Sequence, residues 1–368
     1  MEFHFVYKIF YSNSISFGII ITNECGEKMK SIYDLTIEQM QEDFKAHEDK
    51  KFYANQLFEW LYQKKITDFN QATNIKQQTR ERLMKEYRLD TLKIVAVEKD
   101  KDVSKYLFAL NDKEHIEAVL MYHDYGNSLC ISSQVGCNMG CAFCESGRRK
   151  KVRNLQTSEM VEQILKVEQE SNCRISHVVI MGIGEPFDNY ENIIHFIDII
   201  NHPKGLAIGA RHITISTCGI VPKIKEFTNY DKQVNLAISL HAPTDELRKK
   251  IMPIDKVYPL NELLPALKEY SQKTNRRLTF EYIMLKDVND HEQDALDLAK
   301  LLKGMNAYVN LIPYNETENL QFERSSTIQI AKFYDILKEN KICVTIRREF
   351  GGKISAACGQ LRSKKEEV

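Results

Sequence analysis

Three cysteines in one short stretch are the residues of this chain best suited to chemistry. The stretch runs Cys137-Asn-Met-Gly-Cys141-Ala-Phe-Cys144, with three residues between the first two cysteines and two between the second pair. Three thiolates at this spacing can hold three irons of a [4Fe-4S] cluster and leave the fourth iron without a protein ligand. The spacing therefore predicts a redox-active cluster with one open iron.

A zinc site is the alternative for these cysteines. Zinc would need a fourth ligand at comparable spacing, and the next cysteine, Cys173, lies beyond a predicted helix. We therefore favour the iron–sulfur cluster. Its open iron can chelate the amino and carboxylate groups of S-adenosylmethionine (SAM), pass an electron to the sulfonium and release a 5′-deoxyadenosyl radical.

Residues at the ends of predicted strands provide a second set of candidate ligands. Gly184 and Glu185 follow a strand in Met181-Gly-Ile-Gly-Glu-Pro186. The glycines let the backbone approach a ligand, and the carboxylate can accept from an ammonium group. The corresponding positions after three later strands are Ser216, then Ser239, Leu240 and His241, and finally Asn315. Because barrel sites are built at the carboxyl ends of strands, we expect these residues around one pocket.

The elements that must position these residues alternate between strands and helices. Six β-rich runs recur with helical runs between them, at Ser128–Ser132, His177–Met181, His212–Ser216, Asn235–Leu240, Thr279–Leu285 and Tyr308–Ile312. Such strand–helix repeats indicate an α/β fold with a parallel sheet. The first helix of the series is expected to have Thr157 as its N-cap.

Upstream of these repeats the pattern changes twice. Thr36 and Gln39 predict a helical capping box, and strand patterns follow later, with Asn111-Asp112 as a turn. We divide the chain into an extension outside the core (with a pair of edge strands as the alternative), a helical accessory domain, a short antiparallel β segment, the barrel, and a C-terminal strand and tail. The predicted ranges are 1–28, 29–90, 91–125, 126–330 and 331–368.

Composition restricts the class of protein. Lys+Arg and Asp+Glu both number 51, so any nucleic-acid surface must be a local patch. Nine cysteines in a chain of 368 residues, three of them clustered, fit a reducing compartment and a metal site better than a disulfide framework. No apolar run approaches the ~20 residues that span a bilayer. We expect a soluble, cytoplasmic protein without a membrane segment.

Several motifs together resemble one enzyme family. They are Leu129-Cys130-Ile-Ser-Ser-Gln-Val-Gly-Cys137, Gly182-Ile-Gly-Glu-Pro186, Leu236-Ala-Ile-Ser-Leu-His-Ala-Pro243, Met252-Pro-Ile254, Val309-Asn-Leu-Ile-Pro313 and Ala357-Cys-Gly-Gln-Leu361. With the cysteine loop, they resemble the RlmN/Cfr family of radical-SAM enzymes, which methylate adenosine in 23S ribosomal RNA. The RlmN branch also methylates tRNA. The resemblance spans Met29 to Leu361 and implies a partial (β/α)6 barrel, a [4Fe-4S] cluster and SAM bound by the strand-end residues.

Three residues gain roles only from this resemblance. It implies that one SAM methylates the Cys358 thiolate and that a second, cleaved at the cluster, gives a radical that takes hydrogen from the S-methyl group. The methylene radical then adds to adenine, and Cys130 resolves the protein–RNA adduct by closing a disulfide with Cys358. Glu117 matches the family's proton acceptor, although by itself it would be read as a surface glutamate. An electron donor such as flavodoxin or ferredoxin is also implied, and we expect a monomer.

A dense basic run follows the cluster loop. It comprises Arg148, Arg149, Lys150 and Lys151. Beside an active site such a run could bind RNA phosphates, whereas the alternative is an ordinary solvated surface.

Four functions remain open at this point. The motifs favour methylation of adenine C2, as in the RlmN branch, over C8 methylation, as in the Cfr branch that confers antibiotic resistance. A radical-SAM enzyme acting on a polypeptide or a small metabolite would leave Cys130 and Cys358 without roles. An iron–sulfur or zinc RNA-binding module would bind metal without cleaving SAM.

Overall fold

The computed structural model describes residues 29–317, 319–347 and 359–361. The expected extension at 1–28 and the expected methyl carrier Cys358 lie outside these described residues. In the described part of the chain, no helix is long and apolar enough to cross a membrane.

The N-terminal module consists of three helices and two short strands. They are β1 (Lys30–Ser31), α1 (Ile37–Ala46), α2 (Lys51–Tyr62), α3 (Gln77–Glu86) and β2 (Tyr87–Arg88). The predicted capping box is confirmed, because the Gln39 amide donates to the Thr36 hydroxyl and the Thr36 amide donates to the Gln39 side chain. Trp60, the single tryptophan of the chain, lies on α2 and donates its indole N–H to Asn74 at 2.6 Å.

A set of antiparallel strands joins this module to the barrel. They are β3 (Leu92–Asp100), β4 (Val103–Leu110), β5 (His115–His123) and β6 (Gly126–Cys130), and each pairs with the next. Because side chains alternate along a strand, Ile116 and Ala118 of β5 pack into the main core while Val119 packs on the other face with Cys130, its partner in register. The predicted antiparallel segment is therefore confirmed.

The main domain is the predicted partial barrel. The segments after β6 are β7 (Gln134–Val135), β8 (Arg153–Asn154), α4 (Thr157–Ser171), β9 (Ile175–Ile180), α5 (Tyr190–Asn201), β10 (Ile213–Thr217), α6 (Val221–Phe227), β11 (Asn235–Ser239), α7 (Asp245–Ile251), α8 (Leu260–Thr274), β12 (Leu278–Met284), α9 (Glu292–Leu302), β13 (Ala307–Pro313), α10 (Thr327–Glu339) and β14 (Cys343–Ile346). The six expected strands are parallel, and β14 adds a seventh. The complete sheet has the order β14-β13-β12-β11-β10-β9-β6-β5-β4-β3. The domain boundary predicted at 330 falls inside α10.

Helix α4 is enclosed by the rest of the molecule. Eleven of its 15 residues are buried. Asp34 of the helical module accepts from the Ser158 amide at 2.8 Å, and Glu162 accepts from the Thr91 amide at 3.1 Å. The prediction that Thr157 caps this helix is wrong. Gln156 has the extended backbone of an N-cap and Thr157 is the first helical residue, with its hydroxyl turned to the Asn192 carbonyl.

Candidate active site

One cavity at the carboxyl ends of the parallel strands brings most of the predicted site residues together. Those that line it are Cys137, Cys141, Cys144, Gly184, Glu185, Ser216, Ser239 and His241. Leu240, Asn315, Cys130 and Glu117 do not line it. Leu240 is instead buried beside it and donates its amide to the Glu281 carbonyl at 3.1 Å.

The backbone fixes the cysteine loop from three directions. The Cys137 amide donates to the Arg149 carbonyl at 2.9 Å, and the Ala142 amide donates to the Ile251 carbonyl at 2.9 Å. Gly136 has a φ of +74°, and a Cβ there would lie 2.3 Å from the Lys150 carbonyl oxygen, so only glycine fits. The three thiols are therefore held by a defined loop.

The thiols fit a cluster better than a single metal ion. Ligands on one zinc, with Zn–S near 2.3 Å, stand about 3.8 Å apart. Among described residues, the groups whose ligand atoms all lie within 4.8 Å of one another do not include these cysteines. Burial raises the pKa of Cys137 to about 12 and that of Cys141 above its ordinary value. A cationic group that binds thiolates would offset the cost of burying these side chains. A [4Fe-4S] cluster is such a group, and it also suits sulfur atoms that are farther apart than the ligands of one zinc ion.

Glu185 is a buried carboxylate held on both oxygens. It accepts from the Phe187 amide at 3.0 Å and from the Cys218 amide at 2.8 Å, and its own amide donates to the Gln134 side chain at 2.9 Å. Burial raises its pKa. Gly184, at φ +110°, lets Gln134 pack against the strand end, because a Cβ there would lie 2.6 Å from the Gln134 Cβ. The arrangement leaves acceptor capacity for an ammonium group.

The other strand-end residues form a polar rim. The hydroxyls of Ser216 and Ser239 are 3.4 Å apart. His241 accepts from the Ile283 amide at Nδ1, at 3.1 Å, which assigns its proton to Nε2. Burial lowers the pKa of His241 to about 3, with Arg248 adding to the effect, so the ring is neutral.

Arg248 is a residue of this site that sequence reasoning missed. It is fully buried and donates to the carbonyls of Cys218 at 2.7 Å and Leu240 at 3.2 Å. It also forms an ion pair with Asp255 at 2.8 Å. In the sequence it stands in a charged run, Asp245-Glu-Leu-Arg248-Lys-Lys, where nothing distinguishes it from a solvated residue.

The residues that follow Cys358 are joined to the cluster loop. The Gly359 carbonyl accepts from the Glu145 amide at 2.8 Å, and the Leu361 carbonyl accepts from the Ser146 hydroxyl at 2.7 Å. Gly359 also lines the cavity. Leu361 packs in the same apolar cluster as Cys130. In the described part of the chain, no disulfide joins two of the seven cysteines.

Glu117 is buried, 5% exposed, instead of lying on the surface. The Lys105 ammonium is 3.8 Å from its carboxylate and 2.8 Å from that of Glu98. The main-chain carbonyl of Glu117 accepts from the Ser132 hydroxyl at 2.6 Å. This hydrogen bond fixes β5 against the start of the cluster-binding segment.

The basic run, defined as Arg148, Arg149, Lys150 and Lys151, is largely paired within the protein. Arg149 forms an ion pair with Glu114, and Lys151 lies 2.6 Å from Asp188. Lys150 is exposed and, among described residues, has no such partner. The run therefore offers RNA less unpaired charge than its sequence suggests.

Comparison with known proteins agrees with this geometry. The profile of the Radical SAM superfamily matches residues 131–299, and that of the ribosomal RNA large subunit methyltransferase N-terminal domain matches residues 30–89. Two curated relatives are the probable dual-specificity RNA methyltransferases RlmN of Spiroplasma citri (52% identity, 92% of this chain, 99% of the relative) and Acholeplasma laidlawii (52%, 90% and 98%).

A solved structure is similar over the same length. The crystal structure of a radical SAM methyltransferase from Sphaerobacter thermophilus has a TM-score of 0.87 and 39% identity, covering 91% of this chain and 100% of that one. Fold, cavity and relatives agree, and the chain belongs to the RlmN family of radical SAM RNA methyltransferases.

Proposed function

We propose that this enzyme methylates C2 of an adenosine in 23S rRNA, and of one in tRNA, with Cys358 as the carrier of the methyl group. The observation that carries the proposal is the position of the segment that follows Cys358. Gly359 and Leu361 bond to the cluster loop, and Leu361 belongs to the same apolar cluster as Cys130. This arrangement is what a carrier thiol and a resolving thiol at one site would require.

The residues of the cavity divide between two cofactors. Cys137, Cys141 and Cys144 would hold the [4Fe-4S] cluster that membership of the superfamily implies. Glu185 would bind the ammonium group of SAM, and further contacts would come from Gly184, Ser216, Ser239 and His241. The sequence also predicts that Leu240 and Asn315 bind SAM, but they do not line the cavity. When bound, the cluster and SAM supply the electron and the radical chemistry.

A carrier is needed because the target carbon is not a nucleophile and cannot displace the methyl group of SAM. The Cys358 thiolate can, by ordinary displacement, so two molecules of SAM are used per turnover. After the carbon–carbon bond forms, the ring must lose one electron and one proton to become aromatic again; the electron would return to the cluster that supplied one to SAM, and Glu117 would accept the proton. The Cys130 thiolate then attacks the Cys358 sulfur. The S–CH2 bond breaks, its electron pair stays on carbon, and that carbon takes up a proton as the disulfide closes.

The test is anaerobic incubation with reductant, SAM, 23S rRNA and tRNA, followed by mass spectrometry that locates the methyl group. Cys358→Ala should give no methylated protein and no methylated RNA. Cys130→Ala should accumulate protein covalently attached to RNA, a species that survives denaturation and disappears with nuclease. Cys343→Ala, at an exposed thiol on β14, is the matched control and should turn over normally.

Three outcomes would change the assignment. A methyl group on C8 would show that the enzyme methylates C8 instead of C2. If tRNA stayed unmodified, rRNA alone would be its substrate. Methylated adenosine from Cys358→Ala would end the carrier mechanism.

A further inference from the structure

Two polar residues that line the cavity, and a third that bonds to one of them, have no role in the chemistry above. They are Glu281 on β12, Asn310 on β13 and Arg347 directly after β14, and we call them the Glu281 group. Asn310 is the register partner of Glu281 and donates to its carboxylate at 2.9 Å. The Arg347 guanidinium lies 4.0 Å from the same carboxylate oxygen. Glu281 and Arg347 both line the cavity that contains the cysteines.

The Glu281 carboxylate is buried without being saturated. The residue is 4% exposed, and burial raises its pKa against the smaller opposing effects of Arg347 and Asn310. Within the described residues, one hydrogen bond reaches the carboxylate, which has about four acceptor positions. Since buried polar groups in proteins normally find partners, the remaining positions are suited to a ligand.

Glu281 is the register partner of Ser239, a candidate SAM-binding residue, and Arg347 extends the group beyond the cofactor cavity. Arg347 also lines a second cavity, together with Met121, Ser128 and Val179. Ser128 lies on the strand that carries Cys130, and Met121 lies on the strand that carries Glu117. Arg347 therefore lies where the cofactor cavity meets the second cavity, which is lined mainly by the turn between β5 and β6.

We propose that the Glu281 group binds the target base and selects adenine through its exocyclic amine. A carboxylate accepts hydrogen bonds from such an amine, and a guanidinium donates to ring nitrogens. A 6-oxo purine would instead turn a carbonyl oxygen toward the buried carboxylate and leave it unsatisfied, which disfavours that base. The inference rests on the proposed function in taking adenine as the substrate base.

The experiment compares synthetic RNAs that carry adenosine or inosine at the methylated position. The wild-type enzyme should prefer adenosine, both in kcat/KM and in RNA binding. In Glu281→Gln, kcat/KM for the adenosine RNA should fall about tenfold. The ratio of kcat/KM for adenosine RNA to that for inosine RNA should fall at least about tenfold, because the glutamine amide can donate to a 6-oxo group. Arg347→Lys, at a position 25% exposed, should weaken binding of the adenosine RNA about fivefold.

Iron content and SAM affinity are measured on every variant. Glu246→Gln, at a side chain 84% exposed on α7, is the control and should match the wild type. An adenosine-to-inosine ratio unchanged in Glu281→Gln would overturn the proposal, as would a loss of SAM affinity as large as the loss of RNA affinity. If the wild-type enzyme methylates no RNA, the proposed function fails. The affinities of wild type and Glu281→Gln for the adenosine and inosine RNAs then still decide whether the Glu281 group binds the base. If Glu281→Gln does not fold, unchanged RNA binding in Arg347→Lys would count against the proposal.

Discussion

At the scale of the residue, Arg248 shows how one buried cation can order two strand ends. Its guanidinium donates to the carbonyls of Cys218, just after β10, and of Leu240, just after β11. The charge is balanced by Asp255, one of whose oxygens is buried without a hydrogen-bond partner among the described residues. A buried pair of this kind contributes little net stability, and its value lies in the geometry that it fixes.

A first prediction separates the contribution of Arg248 to stability from its contribution to the geometry of the SAM site. Arg248→Met should lower the free energy of unfolding by about 3–5 kcal/mol, because the Asp255 carboxylate remains buried and unpaired. The double variant Arg248→Met, Asp255→Leu should recover most of that loss. SAM binding should stay weak in both, because the two carbonyls have lost their donor. Urea unfolding and equilibrium SAM binding distinguish these results, and recovery of SAM affinity in the double variant would reduce Arg248 to a purely structural role.

A second prediction concerns two adjacent lysines. Lys150 is exposed without an ion pair among described residues, whereas Lys151 lies 2.6 Å from Asp188. Counterion release depends on charges that are available to phosphate. Lys150→Gln should therefore reduce the slope of log affinity against log salt by about one unit, and Lys151→Gln by less. The measurement is RNA binding over a salt series, and equal slopes in the two variants would contradict the assignment.

At the scale of the element, α4 is one of the places where the helical module and Thr91, which follows the module, contact the barrel. Glu162, on its buried side, accepts from both the amide and the hydroxyl of Thr91. Burial raises the pKa of Glu162 from 4.5 to about 8, with Asp90 adding to the rise and Thr91 and Lys166 opposing it. The folded protein thus keeps a proton that the unfolded chain has already released near neutral pH.

The pH dependence follows from that difference. The stabilising contribution of Glu162 is complete below pH 4.5 and is lost as the pH rises through about 8. Glu162→Gln mimics the protonated acid at every pH, so its stability relative to wild type should improve by up to about 1.4 kcal/mol per pH unit across this window. Urea unfolding at about pH 5 and about pH 8 tests it. Glu246→Gln serves as the exposed control. If Glu162→Gln and wild type differed by the same free energy of unfolding at both pH values, the raised pKa of Glu162 would be refuted.

At the scale of the whole molecule, the two family profiles suggest separable parts, but the contacts do not. Asp34 and Lys65 of the helical module bond to Ser158 and Glu168 of α4, and Thr91, just after the module, bonds to Glu162. We expect residues 91–368 expressed alone to be insoluble, because α4 would lose its packing against Ile32–Asp34 and its bonds to Asp34 and Lys65. Coexpression with residues 29–90 should restore solubility. A soluble fragment with native thermal stability and full iron loading would show that the module is dispensable for folding.

Sequence reasoning succeeded where the determinants are local. Strand and helix periods, the capping box at Thr36 and the fold of the barrel follow from neighbouring residues or from a family pattern. It failed where long-range contacts decide. Arg248 stands in a charged run yet is fully buried, and the basic charge of Arg149 is balanced by Glu114, which lies 35 residues away. Nothing in the sequence around these residues specifies such partners.

The position of Trp60 has a practical consequence. It is the single tryptophan, and its indole hydrogen bond to Asn74 and its contact with the Lys64 ammonium, 4.5 Å from the ring centroid, lie wholly within the helical module. Intrinsic fluorescence therefore reports directly on the module. If the module and the barrel unfold as one cooperative unit through α4, this signal will change together with the far-ultraviolet circular dichroism of the whole chain. One native fluorophore then follows the integrity of a catalytic domain in which it does not lie.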